Sequence, residues 1–451
     1  MRTRTPRLLA VSLAAGMLLA ACGSSGSASN TAATGASGAA SAGAVGGTTG
    51  PSGSITVLTN RTDLDKDGTL AGYAKKFNEK YPNVAVTFQS ITDYEGEVKT
   101  RMTTDKYGDV LLIPNSISVA DYPKFFTSLG SLDDLKSKYR YVAGAAIDGQ
   151  VYGLAQNGNA VGYVYNKQVW QAAGVTSAPT SPDAFIAALQ AIKSKTTATP
   201  LYTNYKDGWP LTKWTDALGT ASCDGDAKNK LAKDAAPWAK GKDLNVADTI
   251  LFQAVNQKLT EADPTTTNWE NSKTLLGSGQ IGAMWLGSWA VTQMQDAAKK
   301  AGKSADDIGF RPFPTQVGGQ FCAQNGPDYL QAINKNSKNQ EAAKAWISWF
   351  TDESGYAASQ GSIPTSIAGA LPDTLKEFTD LKVKLVELNP APANQVGLVD
   401  KIDKSSEIGL YSPDYRQKLV DVARGAAPGT LDSFLADLNK KWADAQATAG
   451  S

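Results

Sequence analysis

Gly-Ser-Gly-Gln-Ile-Gly-Ala-Met-Trp-Leu-Gly-Ser-Trp, residues 277–289, runs from a polar glycine turn into an apolar stretch, Ile281 to Leu286, with the length of one buried strand. Gly287-Ser288 then tips the chain into a segment of helical period, so Trp289 stands where a strand ends and a helix begins. In α/β folds, ligands gather outside the carboxyl ends of strands and at helix N-termini, where free N–H groups meet polar atoms. A flat side chain at that point is a candidate binding platform. An isolated Trp among apolar residues is more often core, so the surrounding chain has to decide.

Upstream, Ile55–Leu58 reads as a strand and Leu70, Tyr73, Ala74 and Phe77 mark one face of a helix that Pro82 stops. Val84, Val86 and Phe88 alternate as a second strand, residues 95–105 can be helical, and residues 109–113 form a buried-strand run. This alternation predicts right-handed crossovers and a mostly parallel sheet. The loop after the first strand holds Asn60, Arg61 and Asp63, and Asp63-Leu-Asp65-Lys-Asp67-Gly68 matches the opening of an EF-hand loop. Its twelfth position is Ala74 rather than a bidentate Glu, and a strand precedes it. The alternatives are a calcium site and a solvated loop capping the first helix.

Residues 151–165 are two apolar runs broken by Asn157-Gly158-Asn159, which reads as a strand leaving one lobe and a strand entering another. Ser181-Pro182-Asp183 is a helix start with Ser as N-cap and Pro at the first helical position. Asn204-Tyr205-Lys206-Asp207-Gly208-Trp209-Pro210 is a loop dense in aromatics and polar groups. Phe310–Phe313 is expected as the return crossing between lobes, and Trp346, Trp349 and Phe350 fall at core spacing on a helix. Trp285, inside the strand, is also expected in the core.

Arg2, Arg4 and Arg7 precede an uncharged apolar run, Leu8 to Ala21, that ends in Leu19-Ala20-Ala21-Cys22. A membrane span needs about 20 apolar residues, so this run reads as the core of a signal peptide, residues 1–21. The terminal tetrapeptide resembles the lipobox of bacterial lipoproteins, which makes Cys22 the expected lipidated residue. Residues 22–53 are Gly, Ser, Ala and Thr-rich and uncharged, a flexible tether with a root-mean-square reach of about 30 Å. The chain has 44 Lys and Arg against 43 Asp and Glu; without the three leader Arg the balance is 41 against 43. So neutral a body leaves no electrostatic footprint for nucleic acid.

The sequence contains no His, which excludes Ser-His-Asp and Cys-His nucleophile systems, His-bearing zinc sites and His general bases. Carboxylate-only chemistry such as glycoside hydrolysis survives that filter. Cys223 and Cys322 remain for one disulfide in an oxidising space. The chain from Ile55 onward exceeds the ~250–300 residues at which a single core stops growing, so two lobes are expected.

Tyr152-Gly-Leu, Tyr165-Asn-Lys, Ala173-Gly174, Ser181-Pro-Asp-Ala-Phe185, Gly282-Ala-Met-Trp-Leu-Gly-Ser-Trp289, Ile333-Asn, Ser337-Lys-Asn-Gln-Glu-Ala-Ala-Lys-Ala-Trp346 and Gly361-Ser-Ile-Pro364 occur in this order. Together they resemble the extracellular solute-binding proteins of ABC importers, in the group that includes maltose-binding protein. The resemblance implies a two-lobed α/β periplasmic-binding-protein-like fold with an interlobe ligand cleft and hinge strands. It places residues 54–159 and 314–359 in lobe 1 and residues 160–312 and 360–447 in lobe 2. On that division Cys223 and Cys322 fall in different lobes, and a bridge restricting the hinge is not expected. The ligand-binding positions it implies are Asn60, Arg61, Asp63, Asn115, Asn204, Tyr205, Lys206, Trp209, Trp289 and Asp328. A further Trp that relatives often carry near the C-terminus has no counterpart.

A pyranose has an apolar C–H face and an edge of hydroxyls, so its site needs aromatic planes bordered by Asp, Asn, Arg and Lys, the mixture found in these loops. The expectation is a monomeric, lipid-anchored protein outside the cell membrane, without cofactor or metal. It would capture a sugar or oligosaccharide, do no chemistry on it, and hand it to permease subunits. The alternatives are a secreted carbohydrate-active enzyme using two carboxylates, or the same fold with a non-sugar solute.

Overall fold

The computed structural model describes residues 50–449, Asp93 excepted. Cys22, the apolar run before it and nearly all of the tether lie outside the described residues. Two large sheets organise the rest. In the first, Val84–Ser90, Gly53–Thr59 and Val110–Leu112 run parallel, Leu330–Asn334 lies antiparallel beside Val110–Leu112, and the short strands Phe126–Thr127 and Leu154–Ala155 pair with its other side. Leu70, Tyr73 and Phe77 bury one face of the helix Thr69–Lys80. Phe77 meets the edge of Trp346 at a ring separation of 5.2 Å. Trp346, Trp349 and Phe350 are buried in this core, as their spacing on the helix Gln340–Asp352 requires.

In the second sheet, Ile281–Gly287 lies between Thr199–Leu201, parallel, and Gly158–Asn166, antiparallel. All seven residues of Ile281–Gly287 are buried. Met284 and Leu286 enter one apolar cluster while Ala283 and Trp285 enter another, as the two-residue period of a strand dictates. Trp285 is core: its Nε1–H donates to the Lys213 carbonyl at 2.7 Å and its ring stacks on Trp214. Among the described residues no helix is long and apolar enough to cross a membrane.

The structure moves one crossing. Ile308–Arg311 pairs with Gly158–Asn166 at residues 163–166 and therefore stays in the second sheet. The next strand, Gln320–Pro327, also pairs with Gly158–Asn166, at residues 158–160, and with Lys384–Glu387. The return to the first sheet thus falls at Pro327–Leu330, and residues 320–326, expected in lobe 1, run in the second sheet. Two further segments cross beside it. The Asp328 N–H donates to the Asn157 carbonyl at 2.9 Å, and Gly158 and Ile363 exchange backbone hydrogen bonds at 2.8 Å each way.

The same pairing corrects the expectation about the cysteines. Cys322 sits on Gln320–Pro327, whose Gln324 N–H donates to Thr220 Oγ1 at 2.9 Å, so it lies beside the loop that carries Cys223. The two form a disulfide across a sequence separation of 99, with Cα atoms 5.4 Å apart. It ties one loop to one strand of the second sheet and crosses no hinge segment. A loop of that length constrains the unfolded chain strongly. Reduction is expected to lower unfolding free energy by ~2–4 kcal/mol, read as a fall in the urea midpoint; an unchanged midpoint would count against a stabilising bridge.

Candidate functional site

The turn after Ile281–Gly287 is fixed by a reciprocal pair of hydrogen bonds. Ser288 N–H donates to the Ala160 carbonyl at 2.8 Å, and Ala160 N–H donates to Ser288 Oγ at 3.0 Å. A Cβ at Gly287 would stand 2.6 Å from Cδ1 and Nε1 of Trp289, so glycine is what allows the indole to fold back over the strand end. Trp289 precedes the helix Ala290–Lys300 and is half-buried.

Two more indoles join it. Trp209 opens the helix Trp209–Thr212 after Gly208, and Trp269 opens Trp269–Gly277 after Asn268, whose side chain accepts from the Asn271 N–H. Ring centroids are 4.8 Å apart for Trp209 and Trp269, 5.7 Å for Trp209 and Trp289, and 5.8 Å for Trp269 and Trp289. All three are half-buried, so this aromatic cluster keeps part of its surface open. Trp269 is not among the positions expected from sequence. Its local signal, an aromatic immediately after an Asn N-cap, is shared with many core helices, and only tertiary packing distinguishes it.

Charged groups from both sheets meet at the hinge. Asp328 is open to solvent yet walled by protein on several sides; that crowding pushes its carboxyl above the usual range, against the pull of Arg61 and Lys213. Arg61 donates from Nε to Asp63 Oδ1 at 2.9 Å and from Nη1 to Tyr356 Oη at 3.0 Å and Gln360 Oε1 at 2.7 Å. Lys213 stands 3.9 Å from Asp216, whose carboxyl is raised by desolvation and drawn back by Lys213 and Arg416. Lys213 and Asp216 carry no sequence signal of their own. Behind Lys213–Ala217, Arg416 donates to Asp248 at 3.0 Å and to Thr215 Oγ1 at 2.6 Å, with both side chains of the ion pair fully buried.

The other expected residues divide. Asn115 is exposed and held by Glu95, which accepts from its Nδ2 at 3.0 Å and from Tyr329 Oη at 2.8 Å. Asn115 and Asp328 line a cavity of about 780 Å³ that Tyr122, Ala391, Val396 and Asp400 also border. Asn60 and Lys206 have no side-chain hydrogen-bond partner among the described residues, and Lys206 is exposed. Two further expected positions already have partners within the fold. Asn204 is fully buried against Ser272, with a positive φ of 54° that closes its own turn. Tyr205 is half-buried, its hydroxyl donating to the Asp421 carboxylate at 3.0 Å with Arg424 over its ring.

The EF-hand-like loop resolves to a helix start. Thr62–Lys66 is helical, so its carboxylates diverge: Asp63 binds Arg61, Asp65 accepts from Ser90, and Asp67 accepts from the Thr69 N–H. Among the described residues no group of three or more Cys, Asp or Glu side chains is placed to hold a metal ion.

The profile of the bacterial extracellular solute-binding proteins matches residues 62–357. The chain belongs to that family. Among solved structures, this solute-binding protein is similar to the binding protein of an ABC transporter from Bifidobacterium animalis subsp. lactis in complex with mannobiose. The two are 33% identical, with a TM-score of 0.78 over 88% of this chain and 95% of that one. A manno-oligosaccharide-specific solute-binding protein of the same organism, in complex with mannotriose, is 34% identical, with a TM-score of 0.79 and the same coverage. The multiple sugar-binding protein of Streptococcus mutans is 23% identical over 299 residues, 64% of this chain and 69% of that one.

Removing one partner of a buried ion pair strands the other in a dry core. Arg416→Ala is therefore expected to cost this solute-binding protein ~3–5 kcal/mol in urea denaturation, whereas Arg424→Ala, at an exposed pair, is expected to cost less than ~1 kcal/mol. Equal losses in the two variants would contradict a load on Arg416.

Proposed function

We propose that this protein captures an oligosaccharide in the cleft between its two sheets and delivers it, unaltered, to the permease of an ABC importer. The observation that carries the reading is the cluster of Trp209, Trp269 and Trp289, three indoles with open surface, of which Trp209 begins the short helix that runs into Lys213, one of the two cations acting on Asp328. Sugar C–H faces stack on such rings while hydroxyls take up the charged and amide groups. The similarity to proteins solved with mannobiose and mannotriose makes manno-oligosaccharides the first ligands to test.

In this reading Trp289 and Trp269 form the main platform, Asp328 accepts hydroxyl protons, and Lys213 and Arg61 donate or orient. Asn115 completes the wall on the side of the first sheet. Asn60, Asp63 and Lys206 are peripheral. Lobes built on the two sheets close about Asn157–Gly158, Pro327–Asp328 and Ile363, and the closed form docks on the permease. Lipidated Cys22 and the uncharged segment after it hold the protein at the outer face of the membrane.

A thermal-shift screen of mannobiose, mannotriose and the corresponding malto-oligosaccharides is expected to find ligands that raise the melting temperature by mass action. Trp289→Ala and Trp269→Ala should each weaken the best ligand about tenfold or more, since an aromatic contact contributes ~0.5–1.5 kcal/mol beyond its buried area. Undiminished binding in both variants would remove the indole cluster from the site. Mass spectrometry of recovered ligand should show it intact; cleaved products would indicate a hydrolase.

Asp328 gives a pH test. Its carboxyl titrates above the usual Asp range; the ionised form accepts charge-assisted hydrogen bonds on both oxygens, whereas protonation turns one oxygen into a donor and removes the charge. Affinity should be flat near neutrality and fall at mildly acidic pH, before an ordinary Asp would protonate. Asp328→Asn should bind more weakly at pH 7 and lose this dependence; an identical pH profile in the variant would exclude Asp328.

A further inference from the structure

We infer that Glu95 is a positioning residue for ligand binding: one of its carboxylate oxygens holds the side chain of Asn115 so that the amide oxygen, and not the amide nitrogen, is offered to the ligand. This rests on the carbohydrate reading above, in which Asn115 walls the site, and it specifies what that wall recognises.

Glu95 is the second residue of the helix Tyr94–Arg101, whose start is pinned to the first sheet. The buried Tyr94 hydroxyl donates to the Leu112 carbonyl at 3.1 Å and accepts from the Leu112 N–H at 2.7 Å, at the end of the strand that leads to Asn115. From that fixed place Glu95 Oε1 accepts three hydrogen bonds, from the Asn115 N–H at 3.2 Å, from Asn115 Nδ2 at 3.0 Å and from Tyr329 Oη at 2.8 Å. Burial, and then Glu95 itself, raise the Tyr329 hydroxyl above its ordinary range, so it stays protonated and donates. Tyr329 follows Asp328, and its carbonyl accepts from the Gln156 N–H at 2.9 Å beside the crossing. A single oxygen therefore joins the loop bearing Asn115 to the segment bearing Asp328.

The bond to Nδ2 sets a polarity. A carboxylate only accepts, so the amide nitrogen of Asn115 has to face it; turned over, the amide would set its own oxygen against Glu95 and lose the bond. Asn115 Oδ1 is left without a hydrogen-bond partner among the described residues. Asn115 is exposed and lines the cavity of about 780 Å³ together with Asp328, whereas Glu95 stands behind that lining. The charged side chains of the lining are Asp148, Asp328 and Asp400, with no Lys or Arg among the described residues that form it. This wall thus presents acceptors, and a ligand meets it with hydroxyl or amine donors. A purely structural tie between loop and strand would be complete with the Asn115 N–H and Tyr329. The third bond acts on the side chain alone.

The test is calorimetric titration of the protein and its variants with mannotriose and maltotriose, following whichever binds wild type, with the ligand-free melting temperature of each variant recorded. Asn115→Ala is expected to weaken binding about three- to tenfold, the worth of one hydrogen bond. Glu95→Ala should weaken it by a similar factor, and the double variant should bind no worse than Asn115→Ala alone, because both changes remove the same contact. Asn115→Asp sets two carboxylates face to face and should weaken binding several-fold; adding Glu95→Gln supplies a donor to the new carboxylate and should restore most of the affinity, a rescue that a purely structural tie does not give. Glu95→Ala binding as wild type does, losses that simply add in the double variant, or failure of Glu95→Gln to rescue Asn115→Asp would each overturn the positioning role. If Asn115→Ala keeps full affinity while Trp289→Ala loses it, this inference falls and the carbohydrate reading stands. If wild type binds neither sugar, that reading falls and takes this inference with it.

Discussion

The backbone of residues 158–160 is the constraint on which the rest depends. Ala160 shares both its N–H and its carbonyl with Ser288, and lies opposite Asn325 in the neighbouring strand. Gly158 pairs with Pro327 and with Ile363, and a Cβ there would be 2.0 Å from the Tyr141 hydroxyl. Three residues therefore fix the strand end that delivers Trp289, the crossing that delivers Asp328, and the segment leading away from Gln360, the partner of Arg61. Three segments separated by tens of residues in sequence are held together because their backbones are bonded to one short stretch. A substitution that moved Gly158 would displace all three at once.

Electrostatics sets the second layer. Two carboxylates, Asp216 and Asp328, have raised proton affinity, and Lys213 opposes the shift in both. A cleft of this kind keeps its charges only partly neutralised, which leaves them available to hydroxyls. The opposite solution lies directly behind, where Asp248 and Arg416 are sealed from water and bonded to Trp238 Nε1 and Thr215 Oγ1. The sealed pair holds the backbone of Lys213–Ala217, while Lys213 and Asp216 on that segment stay partly open to solvent. Function and rigidity are separated by one turn of chain.

What the sequence made legible follows from range. The strand, turn and helix around Trp289, the helix with Trp346 inside, and the strand-helix alternation of residues 55–113 are short-range patterns, and the structure reproduces them. Trp209 and Trp289 were expected in the site; that they touch, and that Trp269 joins them, depends on three helix starts separated by tens of residues. Asn204 and Tyr205 lie in a loop of the right composition, but Ser272 and Asp421, both distant in sequence, claim them. Composition marks a loop as polar and aromatic. Which of its side chains faces inward is decided by partners that composition does not contain.

The disulfide shows how one strand assignment propagates. With Gln320–Pro327 placed in the first lobe, a bridge from Cys322 to Cys223 would lock the hinge, and its absence would be required for motion. With that strand hydrogen-bonded to Gly158–Asn166 and Lys384–Glu387, the bridge lies within the second sheet and leaves the crossings at residues 157, 328 and 363 unstapled. Its effect is local and falls on the cleft. The loop carrying Cys223 continues to Gly225, whose carbonyl accepts from the Asn389 N–H at 2.8 Å, and Asn389 leads into Pro390 and Ala391 on the cavity wall. Cys322 meanwhile pairs with Lys384 in the strand that precedes that wall. The bridge thus fixes both roots of one cavity wall and spans none of the crossings between the two sheets.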